Sequence, residues 1–248
     1  MTLSTFFQEN TKVALAFSGG VDSAYLLYAA KHYGAQVCAY YVKTPFQPQF
    51  EYADAVQLAK ELDVPMVTLE LDILSDAIIT ANPQNRCYFC KKRLFTAILE
   101  QAEKDGFSLV LDGTNASDDI SDRPGMLALQ ELQVRSPLRE CGLTKEAIRK
   151  LSRQAGLFTH DKPSYACLAT RIPTGTPITG MLLANVEKSE EFLKKLGFVD
   201  FRVRLMGDSA KLQLREAQLP LLLQFRKTIL AELKKDYSTV ILDLEVRQ

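Results

Sequence analysis

The sequence predicts an α/β protein in which a doubly wound, five-stranded parallel sheet is followed by a small C-terminal α+β domain. Short apolar runs alternate with helix-length segments from Val13 to Ala155, with brief connections between them. The first run, Val13–Phe17, ends directly in Ser18-Gly19-Gly20, the pattern of a buried parallel strand handing over to a helix. Past Leu157 the alternation stops, and a strictly alternating strand at Phe198–Met206 announces a different architecture.

Each element has its own signal. After the leading strand, Asp22–Tyr33 is a mostly apolar helix with Gly34 as its C-terminal cap. Gln36–Tyr41 is the second strand, Glu51–Leu62 an amphipathic helix and Met66–Leu71 the third strand. Lys91–Lys104 is a helix of alternating charge ending at Gly106. Leu109–Asp112 is the fourth strand, and Val134–Pro137 opens the fifth. Thr144–Ala155 is a helix that Thr144 caps, with Gly156 just past its end. In such a sheet ligands bind at the carboxyl ends of the strands.

The stretch His160–Gly180 holds Pro163, Pro173, Pro177 and Gly175, a long irregular segment of the kind that carries function. Beyond it Leu182, Val186, Ser189, Leu193 and Leu196 share one helical face. In the alternating strand Val199, Phe201, Val203 and Leu205 face one way, and Arg202 and Arg204 the other. A strand at Lys211–Leu214, a helix at Ala217–Lys235 and a strand at Val240–Val246 complete an α-β-β-α-β unit. The expected domains are therefore residues 1–160 and 181–248, joined by an active-site segment at 161–180.

Composition narrows the function. The 248 residues are 47% apolar, enough for a sizeable core. Thirty basic and thirty acidic residues cancel, which removes the whole-chain electrostatic argument for nucleic acid. No segment approaches the roughly 20 apolar residues needed to span a bilayer. The opening MTLSTFFQENTK lacks a basic stretch followed by a long apolar run, so the expectation is a soluble, cytoplasmic protein. Five cysteines in such a chain point to thiol or metal chemistry rather than to disulfides.

Ser18-Gly19-Gly20-Val21-Asp22-Ser23 joins the first strand to the first helix. A glycine turn there lets backbone N–H groups approach an anion, and the helix N-terminus adds partial positive charge. Ser18 and Ser23 supply hydroxyls to phosphate oxygens, and Asp22 beside a phosphate calls for Mg²⁺, which makes it a candidate metal ligand. The Walker lysine is missing, so this is not the loop of the common NTPases. The loop resembles that of the PP-loop ATP pyrophosphatases, which include tRNA thiolases and NAD and GMP synthetases. Asp112-Gly113-Thr114-Asn115 matches that class's second nucleotide-binding turn, and Asp118, Asp119 and Asp122 lie near enough to help hold Mg²⁺.

Arg86-Cys87-Tyr88-Phe89-Cys90-Lys91 is a C-x-x-C at a helix start, where the N-terminus and basic neighbours favour thiolate. By itself it is half of a zinc site, a redox pair, part of an iron–sulfur site or two core residues. Cys167 lies in a proline-bounded segment between Lys162 and Arg171, whereas Cys38 in a strand and Cys141 in a loop read as structural.

The motifs S-G-G-V-D-S, D-G-T-N-A-S-D, R-P-G at 123–125, S-P-L at 136–138, K-P-x-x-A-C-L-A at 162–169, T-R-I-P-T-G at 170–175 and R-V-R at 202–204 come in the order of one family. The chain is similar to the LarE family, ATP-dependent sulfur transferases of nickel-pincer nucleotide synthesis. The resemblance covers nearly the whole chain and implies a PP-loop, adenine nucleotide alpha hydrolase-like fold. It also implies a homo-oligomer, trimer or hexamer, acting on a small-molecule nucleotide, pyridinium-3,5-biscarboxylic acid mononucleotide. By that resemblance ATP sits on Ser18, Gly19, Gly20, Val21, Asp22, Ser23, Gly113, Thr114 and Asn115, with Mg²⁺ on Asp22 and Asp118. Cys167 becomes the sulfur-handling residue, either sacrificed or joining Cys87 and Cys90 around a 4Fe–4S cluster. By the same resemblance Arg202 and Arg204 grip the substrate phosphate, whereas by pattern alone they form a solvated strand face. Glu190 is an acid–base group by resemblance, and a surface glutamate beside Glu191 by pattern alone. The alternatives are a tRNA thiolase or an ammonia-using amide synthetase of the same class.

Overall fold

A computed structural model describes residues 1–118 and 124–245. Asp119, Asp122, Arg123 and Val246, singled out above, lie outside the described residues. Contacts divide the chain into two units. The first comprises Met1–Ile73 and Asn85–Tyr165, the second Leu74–Gln84 and Ala166 onward.

In the first unit, helix α1 (Leu3–Glu9) leads into β1 (Lys12–Ala16), α2 (Val21–His32), β2 (Gln36–Lys43), α3 (Gln49–Glu61) and β3 (Met66–Glu70). The short helix α4 (Ala77–Thr80) belongs to the second unit. The chain then returns through α5 (Arg86–Lys104), β4 (Val110–Leu111), α6 (Pro124–Glu131), α7 (Pro137–Glu140) and α8 (Lys145–Gln154).

The sheet has the order β3-β2-β1-β4, all parallel. Val13, Leu15, Ala39 and Tyr41 bury one face under α1, α2 and α3, while Ala14, Cys38, Tyr40 and Val42 bury the other under α5. A sheet covered on both faces is doubly wound, as predicted. It has four strands, however, and not five. Val134–Pro137 makes only a single parallel bridge, Arg135 to Leu111. The cause is local: Val134 N–H closes the end of α6 on Leu129 O (3.0 Å), and Pro137 already stands at the start of α7. Arg135 is left as the one residue free to pair.

In the second unit α9 (Gly180–Lys195), β5 (Arg202–Met206), β6 (Ser209–Gln213), α10 (Leu219–Leu233) and β7 (Val240–Leu242) realise the α-β-β-α-β order. The sheet order is β5-β6-β7, antiparallel then parallel. The strand begins at Arg202, later than Phe198, because Asp200 takes a left-handed φ of 48° that breaks the extended run, leaving Val199 exposed. On α9 the buried face runs through Leu183, Val186, Ser189, Glu190 and Leu193, with Leu183 in place of Leu182.

Candidate functional site

Order β3-β2-β1-β4 puts a change of connection direction between β1 and β4, so the carboxyl ends of those two strands open the crevice where this architecture takes ligands. The glycine loop sits there. Gly19 has φ +71°, and a Cβ on it would stand 3.1 Å from both Glu51 O and Ala55 Cβ, so only glycine fits. Ser18 and Ser23 close the loop: their hydroxyls lie 3.1 Å apart, Ser18 N–H donates to Ser23 Oγ (3.3 Å), and Ser23 Oγ donates to Gly20 O (3.2 Å). Gly20 is the N-cap of α2 and supplies no side-chain acceptor, leaving the first amides of the helix for an anion.

Asp112-Gly113-Thr114-Asn115 packs directly on that helix start. A Cβ on Gly113 would stand 3.0 Å from Ser23 N. The buried Asp112 carboxylate accepts from the Thr114 and Ser136 hydroxyls, Asn115 N–H donates to Asp118 Oδ2 (3.1 Å), and Asn115 Nδ2 reaches Asp22 Oδ1 (3.4 Å). The two motifs, ninety residues apart in the chain, thus form one surface around the N-terminus of α2.

Two lysines that the sequence reading did not assign to the glycine loop stand at this surface: Lys145, unnamed there, and Lys162, named only beside Cys167. Lys145 ion-pairs with Asp22. Lys162 Nζ lies 3.3 Å from Gly19 O, 2.7 Å from Asp54 and 3.5 Å from Glu51. For Lys145 a signal existed. A lysine at the first position of a helix opposes the dipole, and such a placement needs a carboxylate partner.

The remaining site residues divide between the units. Cys87, exposed, and Cys90, half-buried, are one turn apart at the start of α5, with Arg86 Nη2 4.0 Å from Cys87 Sγ. Burial pushes the Cys38 and Cys141 thiols up from their ordinary value, which fits structural roles. In the second unit Cys167 is half-buried before the 3-10 turn Leu168–Arg171. Glu190 is no surface glutamate: it is 5% exposed and pairs with Arg171, itself 1% exposed. Arg202 and Arg204, two apart on β5, are both engaged. Arg202 Nη1 donates to Phe201 O (2.6 Å) and lies 3.8 Å from Asp200, and Arg204 donates to Gln213 Oε1 (2.6 Å) and Thr170 O (3.2 Å).

Among the described residues no three His, Cys, Asp or Glu side chains gather as a metal site. For Mg²⁺ this is no obstacle, since that ion is held by one or two carboxylates together with phosphates and waters, and Asp22 and Asp118 are of the right chemistry. A 4Fe–4S cluster asks for more thiolates than the Cys87–Cys90 pair offers by itself.

A parallel sheet carrying this glycine hairpin and the Asp-Gly-Thr-Asn turn defines a PP-loop ATP-using protein. Comparison with known proteins agrees. The family of queuosine biosynthesis protein QueC matches residues 12–93. An uncharacterised protein of Synechocystis sp. is 34% identical over 250 residues, 98% of this chain and 92% of its own length. Pyridinium-3,5-bisthiocarboxylic acid mononucleotide synthase of Lactiplantibacillus plantarum is 32% identical over 246 residues, 98% of this chain and 89% of its own length. The tRNA-specific 2-thiouridylase MnmA of Pseudothermotoga lettingae is 29% identical over 187 residues, 61% of this chain and 54% of its own length. With a synthase matched almost end to end, the chain belongs to the LarE family. Among the described residues no helix is long and apolar enough to cross a membrane.

Proposed function

We propose that the chain is an ATP-dependent sulfur transferase of nickel-pincer nucleotide synthesis, acting in the cytoplasm as a homo-oligomer. It adenylates a carboxylate of pyridinium-3,5-biscarboxylic acid mononucleotide and converts it to a thiocarboxylate. The observation that carries this is the contact of Gly113 on Ser23, which joins two nucleotide-binding turns at one helix start in a relative of a thiocarboxylate synthase. The loop amides and the Ser18 and Ser23 hydroxyls hold the leaving diphosphate, Gly113, Thr114 and Asn115 hold the nucleotide, and Arg202 and Arg204 take the substrate phosphate. Mg²⁺ on Asp22 and Asp118 would supply charge neutralisation at the phosphates. The carboxylate is an anion at neutral pH, so positioning does most of the adenylation.

Sulfur then comes from Cys167. Its thiolate attacks the acyl adenylate, displaces AMP and forms a thioester. Loss of the Cα proton breaks the Cβ–Sγ bond, leaving thiocarboxylate on the substrate and dehydroalanine on the protein. The C-x-x-C pair favours a second version in which Cys87, Cys90 and Cys167 would hold a 4Fe–4S cluster. Iron analysis of anaerobically purified protein together with the mass of the chain after one turnover separates the two. Iron with unchanged mass selects the cluster, and no iron with loss of the elements of hydrogen sulfide at Cys167 selects sacrifice.

Incubation with ATP, Mg²⁺ and substrate is expected to release pyrophosphate and AMP. A Cys167→Ala variant is expected to keep pyrophosphate release and make no thiocarboxylate; unimpaired product from that variant refutes the role. The zero net charge argues against tRNA thiolation, and firm tRNA retention on a filter at moderate salt would reinstate it. Amide synthesis leaves Cys167 without a task, and ammonia-dependent product would be its sign.

A further inference from the structure

Cys167 lies on a backbone held at both of its peptide planes. Ala166 O, in the plane before its Cα, accepts from Arg171 Nη1 (2.9 Å). Cys167 O, in the plane after it, accepts from Thr170 N–H (3.0 Å) and from the Thr170 hydroxyl (2.8 Å). The Thr170 hydroxyl in turn accepts from the same Arg171 Nη1 (2.9 Å). Fixing both planes fixes φ and ψ of Cys167 and leaves the sulfur only its χ1 rotation.

Arg171 is itself aimed by Glu190. The guanidinium and carboxylate meet fork to fork, Nε to Oε1 at 2.9 Å and Nη2 to Oε2 at 3.2 Å. Glu190 Oε1 also accepts Val203 N–H at 2.9 Å, on the outer edge of β5, so helix α9, strand β5 and the cysteine turn meet at one carboxylate. With Nε and Nη2 taken by Glu190, the other nitrogen points at the cysteine turn.

We propose that Arg171 and Glu190 are the positioning residues of Cys167: Glu190 orients Arg171, and Arg171 with Thr170 sets where the sulfur stands. Glu190 thereby serves sulfur transfer through Arg171 and not as an acid–base group at the reacting atoms. This rests on the reading of Cys167 as the sulfur-bearing residue.

The test uses the full chain with Arg171→Lys, Thr170→Val and Glu190→Gln. Lysine keeps a positive charge for Glu190 but cannot also donate to Ala166 O and Thr170 Oγ1. Valine removes the hydroxyl and leaves the ion pair intact. Arg171→Lys and Thr170→Val are each expected to keep pyrophosphate release within about threefold and to lower thiocarboxylate formation about tenfold or more. Glu190→Gln is expected to lower thiocarboxylate formation with the shape of the pH–rate profile unchanged. In the nucleotide-free protein, Cys167 in Arg171→Lys and Thr170→Val is expected to react several-fold faster with iodoacetamide, read by peptide mass, as the turn loosens.

Wild-type thiocarboxylate rates in Arg171→Lys and Thr170→Val overturn the proposal, as does a parallel fall of pyrophosphate release and product. Loss of one limb of the pH profile in Glu190→Gln also overturns it. Should Arg171→Lys fail to fold, Thr170→Val decides alone. If the wild-type chain releases no pyrophosphate, the proposed function fails, yet the alkylation rates still decide the positioning role.

Discussion

Gly19 shows how one residue's backbone fixes the chemistry of the loop. Its φ of +71° is strained for any L side chain, and a methyl group would meet Glu51 O and Ala55 Cβ at 3.1 Å. Gly19→Ala should cost about 1–3 kcal/mol of stability and weaken ATP binding about tenfold or more, as measured by calorimetry of the folded variant. Lys145 acts through charge instead. Its pair with Asp22 is part-exposed, at 32% and 21%, so the pair itself stabilises the fold by no more than about 1 kcal/mol. On the proposed ATP site its larger effect falls on the ligand, because without it the Asp22 carboxylate would face the phosphates uncompensated. Lys145→Met should weaken ATP binding several-fold at low Mg²⁺, with the deficit shrinking as Mg²⁺ is raised; equal loss at all Mg²⁺ levels counts against this account. The serines, glycines and Asp22 were legible because a glycine hairpin after a strand is a contiguous signal. The lysines' place at the loop was not, since even the first-turn position of Lys145 signals only that a carboxylate partner is needed, and the partners of both lie more than a hundred residues away.

Elements bring the two turns together. Gly113 lets the Asp-Gly-Thr-Asn turn lie against the start of α2, and a Cβ there would press on Ser23 N at 3.0 Å and its Cα at 3.2 Å. Gly113→Ala should therefore push β4's exit turn off α2 and lower ATP affinity about tenfold, with the loop serines untouched; dialysis binding with circular dichroism to confirm the fold checks it. Patterns of period two and 3.6 made the order of the main strands and long helices legible, including the Thr144 cap of α8, whose hydroxyl accepts Ala147 N–H at 3.3 Å, while the short helices α1, α4, α6 and α7 carried too few turns to show a period. The fifth strand was misread for a reason that periodicity does not encode. Val134 closes one helix while Pro137 opens the next, so residues with strand propensity are consumed by capping. Glu190 was named by resemblance, but its burial and its Arg171 partner were not legible, because a charged residue on a helix reads as solvated unless its buried partner is known.

At the scale of the molecule one passage between the two units has no mark in the sequence pattern, whereas the other, between Tyr165 and Ala166, falls in the proline-bounded segment. Leu74–Gln84 leaves the first unit between β3 and α5 and belongs to the second, a detour of eleven residues with no compositional mark. Its anchor is Asn82, 1% exposed, at φ 55°. Asn82 Nδ2 donates to Pro173 O (2.8 Å), Thr176 O (3.1 Å) and Ile172 O (3.4 Å), and Asn82 O accepts Gly175 N–H (2.8 Å). The Ile172–Thr176 turn downstream of Cys167 is thus braced by the detour. Asparagine tolerates the left-handed conformation, and its amide donates to three carbonyls of that turn. Asn82→Ala should destabilise the second unit by about 2–4 kcal/mol, combining lost hydrogen bonds with left-handed strain. Asn82→Gly removes the same amide while relieving the backbone, so it separates the two contributions. Hydrogen exchange by mass spectrometry is the measurement: amides of Gly175 and Ile178 should exchange markedly faster in both variants, while those of β1 and β2 keep wild-type protection. A loss of protection spread evenly over both units would mean that the detour stabilises the chain as a whole and does not specifically brace the segment that carries the cysteine.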